Sequence, residues 1–116
     1  MDTRTIEAIR EDLQWTRDQL AQQLQRLRED ASHRTRPLSA DAAERAQETE
    51  NDEVLERIER STRQLIGEYD HALARIERGG YGVCESCGFL IEEERLQSVP
   101  QATRCAGCAT ELQQAA

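Results

Sequence analysis

Four cysteines, Cys84, Cys87, Cys105 and Cys108, carry the most specific chemistry in this 116-residue chain. They form two C-x2-C pairs separated by seventeen residues, and two such pairs at 15–20 residues are the spacing of a four-thiolate zinc site. Each pair can chelate one ion from a tight turn, and Gly88 and Gly107 are expected to supply the backbone freedom for it. Four protein ligands close the coordination sphere, so the expected Zn2+, one per chain, is structural rather than catalytic. Arg95 and Arg104 lie close in sequence and can balance part of the thiolate charge. The metal's task is to fold a module too small to build its own core. Disulfides are the rival pairing, disfavoured without a signal peptide. A thioredoxin-like site would use one C-x-x-C in a βαβ frame.

A second constellation is acidic: Asp41-Ala-Ala-Glu44. At a helix start this is a capping arrangement, Asp accepting from a backbone N–H and Glu reaching back from N3. Beside a metal-dependent active centre, the same two carboxylates can help hold a second cation and activate water. Where the pair sits decides between the readings, so the elements that position it come next.

Residues 1–33 and 40–78 contain no Pro and, apart from Gly67, no Gly, and are rich in Glu, Gln, Arg, Leu and Ala. These are good helix formers. Ile6, Ile9, Leu13, Thr16, Leu20, Gln23 and Leu27 recur three and four apart, as do Leu55, Ile58, Thr62, Leu65, Tyr69, Ala72 and Ile76. Eleven of these fourteen positions are apolar, which is a/d heptad spacing in two helices that share a seam. Each seam runs 22 residues, about 33 Å of helix. A short connection makes neighbouring helices antiparallel, so Ile6 should face Ile76 and Leu27 should face Leu55. Both pairs sum to 82, which centres the turn at Asp41. Pro37, in Arg34-Thr-Arg-Pro-Leu-Ser-Ala-Asp41, would break a continuous helix, and it disfavours an intermolecular coiled coil. The expected fold is mainly α. An antiparallel coiled-coil hairpin occupies 1–78 with its tip near 34–46, and a zinc-finger module with a short C-terminal helix occupies 79–116. Gly79-Gly80 should end the second helix.

Composition narrows the function classes. Hydrophobic residues are 37% and aromatic residues 3%, too little to fill a packed α/β enzyme core. The net charge of −8 argues against free binding to nucleic acid, whose phosphates would repel such a surface. No apolar run approaches the roughly 20 residues that span a bilayer, and the N-terminus lacks a signal peptide's apolar region. The expectation is a cytoplasmic monomer with no membrane partner. Glu48, Glu50, Asp52, Glu53 and Glu92-Glu-Glu94 read as solvated faces, Trp15 as a cover for the seam or a contact to the finger, and His71 as a residue without a role.

The run Gly80-Tyr-Gly-Val-Cys-Glu-Ser-Cys-Gly-Phe-Leu-Ile, with Arg95-Leu96, Pro100, Ala102 and Cys105-x2-Cys108, resembles the zinc finger of the DksA/TraR transcription regulators almost position by position. Ile76-Glu-Arg-Gly-Gly is similar to that family's helix-to-finger junction. The resemblance covers roughly residues 38–110, and the first helix matches in character only. It implies a non-enzymatic regulator that binds RNA polymerase and inserts the hairpin through the secondary channel, bringing the tip near the catalytic Mg2+ to modulate initiation. The family's tip motif is Asp-x-x-Asp-x-Ala. Here Asp41 and Ala46 match it, and Glu44 replaces the second Asp. Asp41-x-x-Glu44 also resembles the acidic pair of the Gre transcript-cleavage factors, which makes cleavage stimulation the first alternative; a zinc-stapled adaptor for another partner is the second. In the family, guanosine tetraphosphate (ppGpp) binds partly through basic residues of the second helix. The matching positions here are Ser61 and Glu68, neither of them basic, so the resemblance implies a weak or absent nucleotide response.

Overall fold

The computed structural model describes residues 3–32 and 41–115, over which four helices follow in order. Helix α1 spans Thr3–Ser32 and α2 spans Ala42–Glu77. In the cysteine-bearing segment α3 spans Glu93–Ser98 and α4 spans Ala106–Ala115. The helical hairpin is as the heptads and composition lead one to expect, and the expected short C-terminal helix is present as α4. Pro37 and residues 34–40 of the expected tip lie outside the described residues, whereas Asp41–Ala46 opens α2. No described helix is long and apolar enough to cross a membrane.

The chain divides into two compact units. One, Met1–Arg17 with Gly67–Ala116, holds the roots of both long helices and the cysteine module. Its buried hydrophobic residues, among those described, are Leu13, Tyr69, Ala72, Tyr81, Cys84, Ile91 and Ala102. Arg17 Nε donates to Asp70 Oδ1 at 2.8 Å, tying α1 to α2.

The other unit, Asp18–Ile66, is helix against helix. Leu20, Leu24, Leu27, Leu55 and Leu65 are half-buried there and Thr62 is buried. The Thr62 hydroxyl is satisfied by donating to Ile58 O at 2.8 Å, one turn back. Glu59 accepts from Arg28 across the seam at 3.4 Å and from Arg63 along α2 at 2.5 Å.

Three details differ from the strict heptad reading, the first being that Ile58, expected in the seam of α2, is 40% exposed. Gln23, expected in the seam, is exposed, and Leu24 is half-buried in its place. A straight helix drifts about 20° per heptad away from a 3.5-residue repeat, and the apolar residue next along takes over. The register also moves. The cross-helix bonds join Arg17 to Asp70 and Arg28 to Glu59, so eleven residues forward in α1 is eleven residues back in α2. That is an antiparallel pair, but both bonds sum to 87 rather than 82. The most buried seam residues, Leu13 and Ala72, sum to 85. The pairing therefore centres nearer residue 43 than residue 41.

Helix α2 ends in a Schellman motif: Gly80 N donates to Arg75 O at 2.9 Å and Gly79 N to Ile76 O at 3.1 Å. Gly79, at φ +77°, takes the left-handed C′ conformation. The chain then enters the first cysteine turn already reversed.

Candidate metal centre

The first turn closes around Cys84, whose N–H donates to Phe89 O at 2.8 Å while its carbonyl accepts from Gly88 N at 2.9 Å. Val83 and Leu90 form an isolated antiparallel bridge beside it, and Gly88, at φ +80°, makes the tight reversal. Gly107 does not play the matching part in the second turn. It lies in the first turn of α4, and there Cys108 N donates to Cys105 Sγ at 3.5 Å. The two turns are joined by Glu85 N donating to Thr103 O at 2.9 Å. Arg95 Nε, on α3, donates to Arg104 O at 2.8 Å, and Tyr81 OH to Pro100 O at 2.8 Å.

These bonds bring together all four predicted ligands, whose sulfurs lie within 4.8 Å of one another. Cys87 and Cys105 Sγ are 3.9 Å apart. Tetrahedral Zn2+ with bonds of about 2.3 Å requires sulfurs about 3.8 Å apart, so the donor set fits the ion. The electrostatics agree. Backbone N–H donation, from Cys105 first and also from Ser86 and Cys87, pulls the Cys84 thiol down to about 6 against its burial. The sulfurs of Cys105 and Cys84 push Cys108 strongly up. Phe89's amide favours the Cys87 thiolate, yet the neighbouring Cys84 sulfur and burial leave that thiol raised too. Four thiolates this close repel one another unless a cation sits among them.

The surroundings of the centre hold contacts that the sequence did not reveal. Glu85, inside the first C-x-x-C, accepts from His71 Nε2 of α2 at 2.7 Å through Oε2. Through Oε1 it accepts from Thr103 Oγ1 at 3.0 Å and Arg104 Nη2 at 3.0 Å. Burial raises this carboxyl, but the hydrogen bonds from His71 and Thr103 and the charges of His71 and Arg104 outweigh it and hold Glu85 below the usual carboxylate range. Arg104 also donates to Ser86 Oγ at 3.0 Å, so its charge is spent on the first turn. Arg75 Nη2 donates to Gly80 O at 3.1 Å and Val83 O at 2.9 Å. No periodicity or motif marks these contacts, because the partners lie 5 to 19 positions apart in sequence. Glu92, read as a solvated residue, accepts from Ala106 N at the start of α4 at 3.3 Å. Trp15, expected to cover the seam or meet the finger, is 66% exposed.

The acidic pair lies elsewhere. Asp41 Oδ1 accepts from Ala43 N at 2.8 Å and Glu44 N at 3.1 Å, and so caps α2. Asp41, Glu44 and Ala46 are all exposed.

Comparison with known proteins gives this architecture a relationship. Residues 6–76 match a family model described as DnaK suppressor protein-like, N-terminal domain. Residues 79–114 match the prokaryotic dksA/traR C4-type zinc finger. The chain belongs to the DksA/TraR family. Its finger is a C4-type zinc finger with the four cysteines positioned to bind one Zn2+. The chain is 37% identical over 106 residues to the RNA polymerase-binding transcription factor DksA of Caulobacter vibrioides, covering 89% of this chain and 72% of that one. The protein of that name in Escherichia coli is 32% identical over 107 residues, covering 92% and 66%. An uncharacterized protein of Aquifex aeolicus is 40% identical over 67 residues, and there the chain spans only 46% of the relative. The solved structure of transcription factor DksA2 from Pseudomonas aeruginosa aligns with a TM-score of 0.81 at 26% identity, over 97% of this chain and 86% of that one. The DksA/TraR resemblance, and with it the transcription-factor family, is thus established for both the hairpin and the finger.

Proposed function

We propose that this chain binds RNA polymerase and regulates transcription initiation without catalysing a reaction of its own. One observation carries the reading: a helical hairpin and a C4 finger occur in one chain, each matched by its own DksA-type family model. The hairpin enters the secondary channel, and Asp41, Glu44 and Ala46 act at the active centre. Asp41 and Glu44 stand three apart at the start of a helix, a spacing that keeps both on one face. The N-cap bonds hold the Asp41 side chain, which lowers the entropy cost of presenting a carboxylate to a partner. Zn2+, held by Cys84, Cys87, Cys105 and Cys108, folds the finger and takes no part in chemistry. An overall acidic balance lets the protein approach polymerase without competing for template.

Pull-down of core polymerase with the zinc-loaded chain, followed by transcription from a ribosomal-type promoter, tests this. Capture and a changed promoter output are expected; a chain that captures no polymerase defeats the proposal. The Glu44 substitution favours one second reading, Gre-like stimulation of transcript cleavage. Stalled elongation complexes that shorten their transcripts on addition of the chain would identify it.

A further inference from the structure

The Glu85 carboxylate is a place where α2, the first cysteine turn and the segment leading into the second meet. It sits directly after Cys84; Thr103 and Arg104 sit directly before Cys105; His71 stands on α2, thirteen residues before the first ligand. Both finger-side partners are therefore fixed by ligands of the same ion, and all three bonds converge on two oxygens at 2.7 to 3.0 Å. We propose that Glu85 is a positioning residue that couples metal occupancy of the finger to the C-terminal turns of α2.

The physical chain is short. With Zn2+ bound, Cys84 and Cys105 share one centre, which brings Glu85 against Thr103 and Arg104. The two donors on Oε1 orient the carboxylate, and its other oxygen is aimed at His71 Nε2, which donates. Without the ion, the Glu85 N–Thr103 O bond and the Arg104 contacts must join the two turns against the repulsion of their sulfurs, and the donors on Oε1 orient Glu85 less firmly. The bond from His71, charge-assisted and so of the stronger kind, loosens with it. The Glu85 side chain is only 18% exposed, whereas His71 is 49% exposed, so the grip on α2 is tunable rather than all-or-none. Arg75 adds a second tie, to Gly80 O and Val83 O, but both carbonyls precede Cys84 in the chain and need no metal to stay near α2. The metal-dependent share of the junction therefore runs through Glu85. By linkage, a finger that steadies α2 when loaded is itself loaded more tightly when α2 is held.

Hydrogen–deuterium exchange on the full chain, zinc-loaded and after treatment with a chelator, reads this directly. In the unsubstituted protein, chelation should speed exchange of residues 67–77 about fivefold, beyond any change in residues 55–66. In His71→Ala, which leaves the ligand turns untouched and should keep one zinc by native mass, exchange of 67–77 should already be fast with zinc bound and respond little to chelation. Glu85→Ala should do the same, and Glu85→Gln, which keeps an Oε1 acceptor for Thr103 and Arg104, should recover part of the protection. Wild-type protection in zinc-loaded His71→Ala, or no zinc dependence of 67–77 in the unsubstituted chain, would overturn the coupling. None of these readouts requires polymerase, so the inference stands or falls apart from the proposed function.

Discussion

The cap at the start of α2 uses Asp41 as acceptor for two backbone N–H groups, a task asparagine performs about equally well. Asp41→Asn should therefore leave the thermal midpoint unchanged, whereas Asp41→Ala should cost about 1 kcal/mol of helix stability. If the negative charge acts at the polymerase active centre, Asp41→Asn should keep polymerase affinity and lose the effect on promoter output. Full promoter activity in that variant would reduce the residue to a cap. Glu44→Asp shortens the neighbouring carboxylate by one methylene and restores the family's tip pattern; it should raise promoter regulation and lower any cleavage stimulation, measured side by side in the two assays. A third residue-scale case is Gly80. A Cβ there would lie 2.9 Å from Arg75 Cζ, and that guanidinium is held by two carbonyls. Gly80→Ala should cost about 1–3 kcal/mol, as overpacking does. In an Arg75→Ala background most of that cost should disappear, and additive thermal midpoints across the four proteins would contradict the clash.

At the scale of elements, hairpin and finger are held by different forces. The hairpin has an apolar seam and cross-helix ion pairs; the finger buries little beyond Tyr81, Cys84, Ile91 and Ala102 and depends on its ion. Cys87→Ser, or a chelator, should unfold the finger and abolish one-zinc stoichiometry while most of the far-ultraviolet helical signal survives. Loss of the whole helical signal would mean that the hairpin has no stability of its own. The same division explains what the sequence made legible. Local, periodic features could be read directly: two helices from heptads, a helix end from Gly79-Gly80, a cap from Asp41, and four ligands from two C-x2-C pairs. What escaped was non-periodic or set by drift. Leu24 replaces Gln23 because the helix repeat is not 3.5 residues. The register moved because the ends of the seams do not say which layers meet. His71 gained a partner fourteen residues away only because the finger folds back onto α2.

On the scale of the whole molecule, the sign of the charge sets what the protein can recognise. All fifteen basic residues are arginines set against 23 carboxylates, and several of them, Arg10, Arg17, Arg28, Arg63 and Arg104, are paired with Asp or Glu. Such a surface does not attract polyanions over a distance. A polyphosphate ligand would need a local basic cluster to overcome that background. If such contacts lay on the second helix, as the resemblance implies, α2 would meet the ligand with Ser61 and Glu68, both exposed. A carboxylate facing a phosphate repels it, and the missing Arg or Lys would have supplied charge-assisted bonds. Guanosine tetraphosphate should therefore give little or no potentiation of this protein's effect on polymerase. The measurement is promoter output against nucleotide concentration, using a polymerase that lacks its other nucleotide site. A nucleotide-dependent gain of several-fold would contradict the prediction. Glu68→Lys is the companion variant: it turns repulsion into attraction at one position, so nucleotide sensitivity should rise while polymerase affinity without nucleotide stays as it was. If Glu68→Lys leaves the response flat, position 68 is not where the nucleotide would bind, and the local-charge argument fails even where the global one holds.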